Sequence, residues 1–218
     1  MNLLLIGPPS SGKGTQAEKL AEKFQLAYVN MGGIFRKMKN EETPLAHKVR
    51  EYYGKGVWVP DEIVIQVINE YLRGLGRLDG VVFDGFPRVL NQGIYFDQYL
   101  NEKGQKIDLV IYLSLPEEET RKRISNRRAC EKCDQVYNLL TKRPKTEGIC
   151  DLCQGKLIVR SDETPEAIET RLKEFRTKTV PLIEYYRKRG LLEEVDGNRP
   201  IEVIFGDLLQ RIKKRGLA

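Results

Sequence analysis

Apolar residues recur along this chain in two rhythms. Short uninterrupted runs stand at Leu3-Leu4-Leu5-Ile6, Leu26-Ala27-Tyr28-Val29, Gly80-Val81-Val82-Phe83 and Asp108 to Leu115, with a last one at Leu191 to Val195. Runs of this length suit strands buried on both faces of a parallel sheet. Between them the spacing changes to three and four. Ala17, Leu20, Ala21 and Phe24 share a face, as do Ile63, Val64, Val67, Ile68 and Tyr71. That period predicts amphipathic helices, the second capped by Asp61. Asn30-Met31-Gly32-Gly33 reads as a turn into a helical stretch containing Arg36. Pro44 to Tyr53 reads as a helix ended by Gly54 and Gly56.

Later elements follow the same rules. Pro116 and three glutamates open a helix, with acids favourable in its first turn. This helix is expected to carry Arg121, Arg123, Arg127 and Arg128, with Arg123 and Arg127 on one face. Thr164-Pro165 starts a long helix, cap then proline, and Pro181 should kink or break it. A final helix is expected from Ile201 to Lys214. Strands alternating with helices predict an α/β fold, a five-stranded parallel sheet with helices on both faces.

The first strand runs into Gly7-Pro8-Pro9-Ser10-Ser11-Gly12-Lys13-Gly14-Thr15. Strand, glycine-bounded loop, lysine and helix together form a phosphate-binding loop. Its backbone N–H groups turn inward, and the helix N-terminus adds partial positive charge. Lys13 can reach terminal phosphates, and the Thr15 hydroxyl can help to hold Mg²⁺ through water. Asp84 ends the Gly80–Phe83 strand, where a carboxylate is placed to hold hydrated Mg²⁺ beside such a loop. Arg88 follows on a proline turn and can grip a phosphate with two nitrogens. Taken singly, a turn aspartate and a surface arginine are the plainer readings. His47 has no carboxylate or nucleophile pattern around it and reads as an exposed helix residue.

The chain of 218 residues suits one core domain with small insertions. Its 37 Lys and Arg against 31 Asp and Glu give a net charge of +6. That excess permits an anionic partner such as nucleic acid, but arginines gathered around phosphates give the same total. No apolar run reaches the roughly 18 to 20 residues of a membrane span. Met1 to Ile6 reads as a core strand rather than a signal peptide, so a cytoplasmic setting is expected.

Cys130-x-x-Cys133 and Cys150-x-x-Cys153 are separated by sixteen residues. Paired knuckles at this spacing fit a tetrahedral Zn²⁺ site, closed and therefore structural. Two disulfides are the alternative, disfavoured in a reducing compartment. The segment between the knuckles is too short for a core of its own, so metal would supply its stability.

Gly-x-x-x-x-Gly-Lys-Gly-Thr together with Asp84-Gly85-Phe86-Pro87-Arg88-x-x-x-Gln92 resembles the adenylate kinases, a family of nucleoside monophosphate kinases. The resemblance extends over nearly the whole chain, and the cysteine segment is similar to the zinc-bearing lid of one subset. It implies a P-loop core over 1–29, 60–122 and 161–218, a monophosphate-binding insertion over 30–59 and a zinc-ribbon-like lid over 123–160. It implies transfer of a phosphoryl group from Mg-ATP to AMP by a monomer acting on small molecules, without nucleic acid or membrane. Ser10, Ser11, Gly12, Lys13, Gly14 and Thr15 would bind ATP. Arg123 and Arg127 would reach its phosphates, and Val136, Tyr137 and the Arg199 carbonyl would meet its base. Met31, Gly32, Arg36, Val57, Trp58, Val59, Gly85, Phe86, Pro87, Arg88 and Gln92 would form the AMP site. Arg160 and Arg171 would face the phosphates from the lid side.

Two departures matter. Ser10 stands where the family usually has Gly. Asn30-Met31-Gly32-Gly33 stands where it usually has Ser-Thr-Gly-Asp, which removes a hydroxyl near the acceptor base and a carboxylate beside it. Weaker discrimination among acceptors is the implied result. Two alternatives remain: a kinase for another monophosphate, and a zinc-ribbon nucleic-acid module joined to an ATPase. Against the second, the stretch between Cys133 and Cys150 offers one aromatic, Tyr137, beside Lys142, Arg143 and Lys145.

Overall fold

The computed structural model of the chain describes residues 1–53, 58–160 and 163–217. Val57, Gly54, Gly56 and the Ser161-Asp162 approach to the long helix lie outside them. Five parallel strands form the main sheet: β1 (Asn2–Ile6), β2 (Ala27–Asn30), β3 (Val81–Asp84), β4 (Leu109–Ser114) and β8 (Leu192–Asp196), in the order β2-β3-β1-β4-β8. The expected first and last edge strands each shift by one residue toward the C-terminus. β1 is buried along its whole length because it is central, with helices on both faces.

Side chains of β1 alternate between two cores, as a period of two requires. Leu4 and Ile6 join Val29, Phe83 and Val110 under helices α2 (Met31–Met38), α3 (Pro44–Tyr53), α4 (Asp61–Leu75), α5 (Leu90–Glu102) and α8 (Val180–Lys188). Leu3 and Leu5 join Val82, Leu109, Ile111 and Leu113 against α1 (Lys13–Phe24) and α9 (Ile201–Lys214). The parallel order leaves the carboxyl ends of β1, β2 and β3 side by side, the edge where such sheets bind ligands.

Several local expectations are corrected. Asn30 does not open a turn; it is the N-cap of α2, its Oδ1 accepting from Gly33 N at 2.8 Å. Gly32 and Gly33 thus lie in the first helical turn. Pro60, not Asp61, is the N-cap residue of α4. The long helix is not broken at Pro181: α7 (Pro165–Glu174) continues through a π-helical turn at Phe175–Thr179 into α8 (Val180–Lys188), whose second residue is the proline.

The helix α6 (Glu117–Ser125) is shorter than its charge pattern suggested. It ends at Asn126, whose side-chain amide donates to Lys122 O at 2.9 Å. Arg127 and Arg128 therefore leave the helix and begin β5 (Arg127–Cys130). This strand pairs antiparallel with β6 (Val136–Asn138) and β7 (Leu157–Ile158) in a second, small sheet. Arg123 and Arg127 do not share a helical face. Among the described residues no helix is long and apolar enough to cross a membrane.

Candidate active site

A cleft of about 1080 Å³ opens over the carboxyl edge of the main sheet, between α2, the small sheet and α7. It gathers Ser10, Ser11, Gly12, Lys13, Gly14 and Thr15 from the first loop, and Asp84, Gly85, Pro87, Arg88 and Gln92 from the end of β3. Met31, Gly32, Arg36, Trp58 and Val59 come from the segment after β2. Arg123, Arg127, Val136, Tyr137, Arg160, Arg171 and Arg199 come from the opposite wall. Of the nucleotide-site residues proposed from sequence, Phe86 is the described one that does not line this cleft. Its ring is 1% exposed and packs edge-on against Phe96 at 5.1 Å.

The loop fits tightly on the sheet. A Cβ at Gly7 would stand 2.5 Å from the Leu113 carbonyl oxygen, so only glycine allows this approach. Ser10 adopts a left-handed backbone, φ 58°, and its Oγ is buried without a hydrogen-bond partner among the described residues. Lys13 curls over the loop: its Nζ donates to Gly7 O and Pro8 O, both at 2.8 Å. Burial lowers the Lys13 pKa to about 8; Asp84 opposes this, and Arg88 and Arg127 add to it.

At the end of β3, Asp84 is used unevenly. Its Oδ2 accepts from Tyr28 Oη at 3.1 Å and Asn30 Nδ2 at 3.3 Å, while Oδ1 has no hydrogen bond among the described residues. Burial, and then the Asp84 charge, push the Tyr28 phenol well up, so it remains a donor. The free oxygen, with Thr15 on the same cleft, is a donor set of the hard oxygen type that hydrated Mg²⁺ takes. Tyr28 and Asn30 were not singled out from sequence. The rule that placed Asp84 at a strand's carboxyl end applies equally to β2 and could have found them.

Arg88 is anchored by its Nε to Gly85 O at 2.9 Å, and its N–H donates to Gln92 Oε1 at 2.9 Å. Gln92 Nε2 donates in turn to Asp61 Oδ1 at 2.7 Å. Each end of the Gln92 amide thus has one partner, leaving one further donor and one further acceptor position. Lys178 Nζ lies 4.6 Å from the centroid of Trp58. Met31 is on the cleft wall but only 1% exposed, packed into the main core.

The opposite wall is rich in unsatisfied cations. Arg123 Nε, Arg127 Nε and both Nε and Nη2 of Arg160 are buried without hydrogen-bond partners among the described residues. Burial, then Arg36 and Arg127, lower the Arg160 pKa. Donors left this way are costly unless an acceptor arrives. Arg127 also pairs with Glu163, and Arg123 with Asn198 Oδ1 at 3.1 Å. Arg36 Nε reaches Asp134 Oδ2 at 3.0 Å, bridging α2 to the small sheet's first knuckle. The Arg199 guanidinium is tied through Nη2 to Asp207 Oδ2 at 2.7 Å and through Nε to Asp196 O at 3.1 Å.

The four cysteine sulfurs lie within 4.8 Å of one another. Three pairs are 3.3 to 3.6 Å apart. A disulfide would need about 2.05 Å, whereas the edge of a tetrahedron with Zn–S arms is about 3.8 Å. All four are free thiols. The knuckles repeat one backbone pattern. Cys130 N donates to Gln135 O and Asp134 N to Cys130 O; Cys150 N donates to Gly155 O and Gln154 N to Cys150 O. The cluster fits a structural zinc site. Tyr137 departs from expectation here. Its ring is buried with Cys130, Cys150 and Leu157, and its hydroxyl contacts Cys150 Sγ and accepts from Asp151 N at 2.7 Å. Neighbours on a strand face opposite ways, so Val136, 37% exposed, is the one free to meet a base.

The lowered Lys13 pKa has a consequence for stability. The native state binds fewer protons than the unfolded chain between about 8 and the ordinary 10.5. The cost of burying the charge is fully present below pH 8 and fades as pH rises to 10.5. Urea unfolding of wild type and Lys13→Met across this range should show wild type gaining relative to the variant as pH rises. A constant difference would show that Lys13 is not perturbed.

A family model described as adenylate kinase matches residues 5–191. An adenylate kinase of Carboxydothermus hydrogenoformans is 41% identical over 98% of this chain and all of its own length. One from Archaeoglobus fulgidus is 42% identical with the same coverage, and one from Clostridium tetani is 38% identical over 95% of this chain and 96% of its own. Similarity of this extent, on a phosphate loop, a carboxylate and converging arginines, has one reading: the chain belongs to the adenylate kinase family.

Proposed function

We propose that the protein reversibly transfers the γ-phosphoryl group of Mg-ATP to AMP, giving two ADP. The observation that carries this is that Arg123, Arg127 and Arg160, each with a buried guanidinium nitrogen that has no hydrogen-bond partner among the described residues, line the same cleft as a phosphate loop. Two nucleotides bring several phosphate groups to one place, and such a site needs more cations than one nucleotide would. An acceptor phosphate oxygen would attack the γ-phosphorus while the bond to the bridging oxygen of the departing ADP breaks. The attacking oxygen is already ionised, so no side chain need act as nucleophile or base. Catalysis would then be alignment and charge stabilisation.

In this reading Lys13, Arg123 and Arg127 hold the ATP phosphates, with Ser10, Ser11, Gly12, Gly14 and Thr15 around them. Arg36 and Arg88 hold the acceptor phosphate, and Arg160 and Arg171 bridge the two sides. Gln92 meets the acceptor base between Met31, Gly32, Trp58, Val59 and Gly85. Asp84 and Thr15 would hold Mg²⁺ through water, and that ion would supply charge neutralisation on the transferred group. Residues 30–59 would act as the acceptor-binding unit and 123–160 as a lid excluding water from the transfer. Cys130, Cys133, Cys150 and Cys153 would hold one Zn²⁺ that stabilises the lid. Reduced thiolates of this kind suit a cytoplasmic setting.

Lys13→Met should fold normally and lose turnover by about a hundredfold or more, in line with the loss of a charged transition-state contact. A coupled ADP-formation assay checks this; a variant keeping most of its activity would remove the loop from the chemistry.

Elemental analysis should find one zinc per chain, and chelation should lower the melting temperature, with the small sheet loosening before the main one. Four reactive thiols and no metal in the native protein would count against the site.

AMP should be the best acceptor in a panel with CMP, UMP and GMP at equal low concentration. Met31 offers no hydroxyl, and one lost hydrogen bond costs about 0.5–1.5 kcal/mol, so selectivity should be up to roughly tenfold looser than a threonine would give. A pyrimidine or guanine monophosphate outrunning AMP would change the acceptor and leave the transfer mechanism standing.

A further inference from the structure

The register of β2 against β3 puts Asn30 directly beside Asp84, with Tyr28 two residues back on the same face of the strand. Three polar side chains therefore meet at the sheet's carboxyl edge. Asn30 Nδ2 donates to Tyr28 Oη at 2.6 Å as well as to Asp84 Oδ2, and Tyr28 Oη donates to that same Oδ2. The other amide atom of Asn30 is engaged too, since Oδ1 caps α2 through Gly33 N. Gly14 closes the cluster from the loop side. A Cβ there would lie 3.5 Å from both Asp84 Oδ2 and Tyr28 Oη.

We propose that Tyr28 and Asn30 are positioning residues. They fix the plane of the Asp84 carboxylate so that Oδ1 faces the cleft, and Asn30 ties that carboxylate to the first turn of the helix carrying Arg36. The terminal torsion of an aspartate is broad and costs little to turn. Two donors on one oxygen remove this freedom and leave the second oxygen for a cation's water shell. Partners of this kind orient a carboxylate without touching the metal. Asn30 spans both functions with one rigid amide. A change at the start of α2, on the acceptor side, therefore moves a donor of the carboxylate on the ATP side.

This inference rests on Asp84 serving the cation, so the test separates the two. Mn²⁺ binding to the ATP-loaded protein is followed by electron paramagnetic resonance of the free ion. ATP affinity without divalent cation and AMP affinity are measured by calorimetry. Tyr28→Phe and Asn30→Ser should each weaken Mn²⁺ binding by about tenfold, with metal-free ATP and AMP affinities unchanged. Serine keeps a cap for α2 and loses both amide donors. Asn30→Ala, which loses the cap as well, should weaken AMP in addition. In an Asp84→Asn background, Tyr28→Phe should have no further effect on Mn²⁺. Asp84→Asn alone leaving Mn²⁺ affinity intact would overturn the cation role of Asp84 and this proposal with it. Asp84→Asn weakening Mn²⁺ while Tyr28→Phe and Asn30→Ser do not would overturn the positioning role alone. An equal loss of metal-free ATP binding in Tyr28→Phe would reduce Tyr28 to a packing residue. Asn30→Ala binding AMP as well as Asn30→Ser would cut the link to α2.

Discussion

Repulsion among like charges is the constraint on which this molecule is arranged. Lys13, Arg36, Arg88, Arg123, Arg127, Arg160 and Arg171 line one cleft, and the acids on its walls are fewer. Burial already works against the charge on Lys13, Arg88 and Arg160. These cations are divided between the main-sheet side, with Lys13, Arg36 and Arg88, and the opposite wall, with Arg123, Arg127, Arg160 and Arg171. Anionic ligands between them would relieve both the repulsion and the unmet hydrogen bonds of the guanidinium groups. The site's electrostatic cost in the free protein and its affinity for phosphates have one origin.

The far side of the cleft has only a very small core. The three-stranded sheet buries Cys130, Tyr137, Cys150 and Leu157 and little else. Hydrophobic burial on that scale does not hold a sheet in place. A metal bound by the four sulfurs would supply the missing free energy. Because β5 begins at Arg127 and Arg160 follows β7 closely, whatever fixes the cysteines also positions the backbone of these two arginines. The Arg36–Asp134 pair lies across the gap, so a cation of α2 already touches the turn that carries Cys133.

On the near side, position is set by the parallel sheet. Its register places the loop after β1, Asp84 of β3 and Asn30 of β2 along one edge. Two buried cores hold that edge from opposite faces. The helix α5, which carries Gln92, is pinned to α8 by Asp97. That carboxylate accepts from Tyr185 Oη at 2.8 Å and Tyr186 Oη at 3.4 Å. Gln92, with its partners Arg88 and Asp61, is in this way referred back to the same frame as the phosphate loop.

Much of this was written locally. The buried runs, the loop from Gly7 to Thr15, Asp84 after its strand, and the paired cysteines are patterns spanning a few residues, and each carries its physical cause within that span. The sequence by itself determined the parallel sheet, the phosphate-loop setting and a four-cysteine cluster. Tertiary structure decided what depends on partners far along the chain. Arg127 left the helical pattern because β6 offered it a strand partner, Asn138. Tyr137 turned inward because the cysteine cluster needed filling, and Phe86 because Phe96 stood beneath it. Tyr28 and Asn30 became partners of Asp84 only through the β2–β3 register. A residue's periodicity is fixed by its neighbours in sequence, but its bonding is fixed by its neighbours in space, and those exist only once distant segments have packed.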